Sequence, residues 1–167
     1  MYIIYDNFYL KHCNGPNHPE NAGRLTAIKK ALDKWDLNYK ITIKNPRPAT
    51  DKEIEIVHDK NYIRKIKDLS KSGSFSYLDP DTAVTEYTYE CALLAAGGCF
   101  TGLDLIFDEK SQYSKFFALV RPPGHHAFKN RGSGFCIFNN IALTARHAQI
   151  KHCLLYTSDA ADELDGV

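Results

Sequence analysis

Residues 116–127 read FFALVRPPGHHA, an apolar run of strand length ended abruptly by two prolines, a glycine and two adjacent histidines. Phe116 to Val120 shows no alternation of apolar and polar residues, which is the pattern of a strand buried on both faces of a parallel sheet. Pro122 and Pro123 fix φ, and Gly124 permits a turn that a side chain would hinder. The turn matters because neighbouring residues of an extended strand point to opposite faces, so His125 and His126 share a site only where the chain bends. An imidazole with an ordinary pKa of about 6.5 takes and returns protons at neutral pH, as general acid–base work requires. Taken without their context, the two histidines are equally well a pair of polar loop residues.

Outward from this stretch, helices and strands alternate. Tyr2 to Tyr5 reads as a short strand, followed by the Gly/Pro/Asn-rich loop KHCNGPNHPENAG. Leu25, Ile28, Leu32 and Trp35 then lay one apolar stripe along a helix. Thr50 with Glu53 forms a capping-box pattern opening a short helix, and a second helix is predicted from Asn61 to Leu69, ending near Gly73. Cys91 to Phe107, broken by Thr101, Gly102 and Asp104, falls short of the roughly 20 residues of a bilayer span and reads as a buried helix whose AAGG lets a neighbour approach closely. The alternation predicts an α/β architecture with a parallel sheet, and places RPPGHHA at the carboxyl edge of a strand, where such sheets bind ligands.

Composition narrows the classes. With 167 residues, 44% apolar and 25% charged, the chain has the make-up of one globular domain or part of a larger one. Lys and Arg number 21 against 20 Asp and Glu, so the basic excess of a nucleic-acid binder is missing, and no membrane association is expected. MYIIYDNFY lacks the pattern of a signal peptide. Five cysteines without a C-x-x-C pair disfavour a disulfide framework and a structural zinc site, and fit reduced thiols in the cytoplasm.

RPPGHHA followed by GSGFCIFNNIA (132–142) resembles the active-site segment of the zinc-dependent deacetylase family: histone deacetylases, acetylpolyamine amidohydrolases and acetoin-utilisation proteins. HPENAGRL (18–25), ATDKEIEIVHDKNYI (49–63), LDPDT (78–82) and ALLAAGG (92–98) agree in the same order, so the resemblance runs from residue 2 to about residue 150. It implies the arginase/deacetylase-like α/β fold and hydrolysis of acetyl or acyl amides on lysine or polyamine-type amines, with a zinc-bound water as attacking group. It further implies His126 as general base and then acid, and His125 as its electrostatic companion holding the water. Phe135 and the backbone at Gly134 would line the acyl channel, and Asp81 would hold substrate at the rim unless it is a turn carboxylate. His18 and Arg24 match a pocket beneath the metal, or alternatively anchor loop to helix. Cys136 is expected to be buried beside the site, and Asn139 and Asn140 to make helix and loop hydrogen bonds.

The sequence then departs from the family. The expected zinc ligands, Asp-x-His and a later Asp, and the later catalytic Tyr are not found, and Asp159 and Asp162 have no histidine beside them. No zinc is therefore expected on this chain, which by itself is expected to be inactive. The tail CLLYTSDAADE (153–163) is similar to the conceptual translation of a transposase adapter used in sequencing libraries. Residues 1–152 are accordingly expected to be the N-terminal part of a deacetylase domain and 153–167 a non-native tail. A non-catalytic module that binds acylated ligands is the alternative.

Overall fold

Three parallel strands organise the molecule: β1 (Tyr2–Ile4) lies between β2 (Thr42–Lys44) and β5 (Phe116–Ala118), with Tyr2 in register with both Thr42 and Phe116. The structure is a computed structural model and describes residues 1–34 and 40–153. Trp35 of the predicted stripe and the tail from Leu154 onward lie outside the described residues. Chain direction explains the layout. From β1 the chain runs through a 3₁₀ turn (Asn7–Lys11) and α1 (Ala22–Lys34) to β2 on one side, and only much later returns to β5 on the other. The carboxyl ends of β1 and β5 thus flank a point where strand order reverses, and the loops that leave them emerge together.

The strand expected over Phe116 to Val120 forms over Phe116–Ala118, but it is not buried on both faces. Phe117 is 50% exposed and Phe116 and Ala118 are only half-buried, whereas all three residues of β1 are buried. Among the described residues β5 has β1 as its single neighbour, so one edge of it stays open. Apolarity without alternation correctly marked a strand; it did not say what would cover it.

The remaining elements pack around one long helix. α4 (Thr88–Phe107), 20 residues long, begins three residues earlier than the apolar run Cys91–Phe107 and touches β1, β5, the 3₁₀ turn, α3 (Lys60–Lys71) and α5 (Asn140–His152). One side meets Ile54, Tyr62, Ile66, Ile137, Phe138 and Leu143; the other meets Ile3, Tyr9, Leu25 and Leu119. Its glycines make this closeness feasible. A Cβ on Gly97 would stand 2.0 Å from the Arg47 carbonyl oxygen, and one on Gly102 would stand 2.1 Å from the Phe116 ring. The predicted capping box opens α2 (Asp51–Ile54): the Thr50 hydroxyl accepts from the Glu53 N–H, and the Glu53 carboxylate accepts from the Thr50 N–H at 2.8 Å. A small antiparallel hairpin, β3 (Ser76–Asp79) with β4 (Thr82–Val84), presents the LDPDT turn.

Candidate active site

The turn after β5 is held from below. Arg121 is 1% exposed, and its guanidinium donates to Glu20 Oε1 at 2.6 Å, to the Tyr9 carbonyl at 3.1 Å, and to the carbonyls of His12 and Glu20. Glu20, itself buried, accepts on its other oxygen from Asn14 Nδ2 at 2.6 Å. A guanidinium and a carboxylate taken out of water together are tolerated only when their remaining donors and acceptors are met, and here the loop after β1 meets them. The ion pair therefore fastens the loop leaving β1 to the loop leaving β5.

His12 sits in the same buried layer, with Nδ1 2.9 Å from the Thr88 hydroxyl and Nε2 4.0 Å from Glu20 Oε2. Burial first, and then the Arg121 charge, lower its pKa to about 3, so it is neutral at pH 7 despite the nearby carboxylate. That carboxylate is already neutralised by Arg121. His58, also buried and with its pKa lowered by burial, accepts on Nε2 from the Asn139 N–H at 2.8 Å, which places its proton on Nδ1.

Above this layer His125 and His126 stand exposed side by side, ring centroids 4.1 Å apart and planes tilted by 55°. The Gly134–Phe135 segment curls against them. Gly134 has φ +55° and Phe135 φ +70°, two consecutive left-handed residues, the second of which costs a bulky side chain energy. Partners hold this shape: the Gly134 N–H donates to Asp79 Oδ2 at 3.3 Å and the Phe135 N–H to the Thr82 hydroxyl at 3.0 Å. Burial tends to raise the Asp79 carboxyl, but hydrogen bonds from Thr82, Asp81 and Ser133 outweigh it and hold its pKa at about 2. Asp79 is thus a carboxylate that accepts throughout the neutral range.

The other sequence candidates fall around this core. His18 packs edge-on against the Phe135 ring at 4.7 Å, with Nε2 3.2 Å from the Asp81 carbonyl oxygen and Nδ1 3.1 Å from that of Glu20. Asp81 itself is exposed on the hairpin turn, its carboxylate 3.4 Å from the Thr82 hydroxyl. Arg24 is half-exposed and reaches Glu20 Oε1 at 3.5 Å. Cys136 is fully buried, its thiol pKa raised by burial; its sulfur accepts from the His126 N–H and donates to the Gly134 carbonyl. Asn139 caps α5 through the Ala142 N–H, and Asn140 donates to the Pro122 carbonyl. The structure thus gathers His125, His126, Gly134, Phe135 and His18 at one place, with Asp81 on the adjoining turn. Sequence reasoning missed Glu20, Arg121, His12 and Asp79. Glu20 and Arg121 stand inside the quoted motifs, yet nothing in their spacing marks a pair 101 residues apart.

Comparison with known proteins identifies the family. The Histone deacetylase domain family matches residues 18–155. The chain belongs to the histone deacetylase family. An uncharacterized protein of Synechocystis, slr0245, is 40% identical over 149 residues, covering 87% of this chain and 48% of the relative. A probable deacetylase of Methanothermobacter thermautotrophicus is 36% identical, covering 89% and 43%. The solved HD domain of HDA15 superposes with a TM-score of 0.78 at 33% identity, over 89% of this chain and 43% of that one. The chain spans less than half the length of these deacetylase-family relatives.

Among the described residues no group with metal-ligand geometry includes the tandem histidines. Among the described residues one cluster has metal-ligand geometry, Asp104 with His147 and His152, and it lies on α4 and α5 away from the His125–His126 turn.

Proposed function

We propose that the longer protein carrying this segment is a zinc-dependent amidohydrolase that removes acetyl or other acyl groups from lysine or polyamine-type amines. The observation that carries this reading is the exposed imidazole pair, 4.1 Å apart, set against Phe135 and Gly134 on a turn anchored by a buried arginine. His126 takes a proton from the attacking water and passes it to the leaving amine, while His125 holds that water and supports the charge that develops. Phe135 and the Gly134 backbone wall the acyl channel, and Asp81, exposed on its turn, meets the substrate's amide or amine at the rim. Zinc, held by ligands outside residues 1–152, would supply the polarisation of the acyl carbonyl.

The 167-residue chain alone is expected to give no chelator-sensitive turnover of an acetyl-lysine or acetylpolyamine reporter; such turnover would defeat that part of the proposal. Joining residues 1–152 to the C-terminal half of a longer relative should create hydrolysis. His126→Ala in that chimera should lower kcat by roughly 10²–10⁴-fold. An undiminished rate would return His126 to a structural role. The second reading is a non-catalytic module that binds acylated ligands without hydrolysing them.

A further inference from the structure

The C-terminal halves of α4 and α5 carry a group of side chains that the deacetylase reading does not use. His147 Nε2 and His152 Nε2 each lie 2.9 Å from the same oxygen, Asp104 Oδ1, and the three ligand atoms lie within 4.8 Å of one another. Each imidazole is oriented by an aromatic floor: His147 stacks on Phe100 at 4.4 Å and 13°, and His152 on Phe107 at 4.5 Å and 22°. Side-chain exposures of 24% for Asp104, 11% for His147 and 15% for His152 leave the cluster half-buried but reachable from solvent. Lys151 Nζ reaches the second oxygen, Asp104 Oδ2, at 2.6 Å from a side chain that is 52% exposed. A flexible ammonium therefore already shares the charge of the carboxylate that a cation would need.

From these observations we propose that Asp104, His147 and His152 form a binding site for a zinc-type divalent transition ion that staples α5 to α4. Two imidazole nitrogens and one carboxylate oxygen suit Zn²⁺, whose bonds to such atoms are about 2.0–2.2 Å and whose fourth position is left to water. Small inward shifts bring the three atoms onto one ion, with each imidazole changing to its Nδ1–H tautomer so that Nε2 offers a lone pair. The ammonium of Lys151 leaves as the ion enters. Burial tends to raise the Asp104 carboxyl, but Lys151, His152 and His147 together outweigh it, so the group is already anionic and ready to receive a cation. The site is separate from the tandem histidines: at 1.5 Å per residue, His147 and His152 lie about 10 and 18 Å along α5 from the end that touches the Pro122 turn.

The test is a titration of the purified chain with Zn²⁺, and with Co²⁺ as a spectroscopic substitute. One equivalent should bind in the micromolar range, Co²⁺ should give visible d–d bands of a four-coordinate site, and the melting temperature should rise with the logarithm of free zinc. His147→Ala and His152→Ala, each checked for intact circular dichroism, should weaken binding at least tenfold. Lys151→Ala removes an exposed competitor without touching the core and should tighten zinc severalfold. The double variant His125→Ala/His126→Ala should bind as the parent does. Absence of saturable binding at 100 µM zinc, indifference to the His147 and His152 substitutions, weaker binding in Lys151→Ala, or loss of the ion in His125→Ala/His126→Ala would each overturn the proposal.

Discussion

At Gly134 the requirement for a missing side chain is double. Its φ of +55° is left-handed, and a Cβ there would lie 2.9 Å from Cδ2 of the His126 ring. Gly134→Ala should therefore cost about 1–2 kcal/mol in urea unfolding, the usual penalty for a left-handed residue with a side chain, and should displace the His126 imidazole resonances in NMR spectra. An unmoved His126 signal would show that the Gly134 segment does not set the position of that imidazole. Phe135, next in the chain, is left-handed without that excuse, and its N–H bond to Thr82 and ring contact with His18 show what keeps it so. On the proposed function, that strain lies at the wall of the acyl channel, where strained backbone is commonly kept for binding.

Among the elements, α2 shows a local rule at work within a larger network. Its capping box was legible from Thr50 and Glu53 alone, but the same carboxylate also accepts two bonds from Arg47, at 2.6 and 3.0 Å. The Arg47 hydrogen bond outweighs the opposing effect of burial and holds the Glu53 carboxyl at about 2. A carboxyl depressed in the folded state adds stability that is complete above its unfolded pKa and is lost as pH falls through the folded one. Glu53→Gln should thus lower stability at pH 7 by about 0.5–1 kcal/mol, an amount limited by solvent screening, with the gap to the parent closing as pH falls from about 4.5 to about 2. A gap that persists at pH 2 would mean the loss is steric. The comparison also shows what sequence could reveal. Caps, the α4 glycines and the position of RPPGHHA at a strand's carboxyl end follow from neighbouring residues, so they were readable. The order β2-β1-β5, the open side of β5 and the Glu20–Arg121 pair depend on partners far along the chain, and no local pattern encodes them.

For the whole molecule, the side of β5 left without a neighbour among the described residues is the feature with the broadest effect. Phe117 and Ile141 are 50% and 68% exposed, Ile150 is 60% exposed, and an apolar recess between β5 and α5 is lined by Cys99, Leu103, Phe116, Ala118 and Ala148. An unpaired strand edge beside such a surface is a template for association. The purified chain should self-associate in a concentration-dependent way by light scattering, and Phe117→Lys with Ile141→Glu should return it to monomer; a parent chain monomeric at 100 µM would refute this. The reversal of strand order beneath the site carries a consequence in time rather than space. Tyr2 finds Phe116, and Glu20 finds Arg121, only after a hundred or more intervening residues have been drawn into place. Contacts of such long range are closed late and slow the search for the native state. On the ribosome, Glu20 emerges and waits for a partner a hundred residues behind it, so the turn bearing His125 and His126 takes its working shape among the last events of folding.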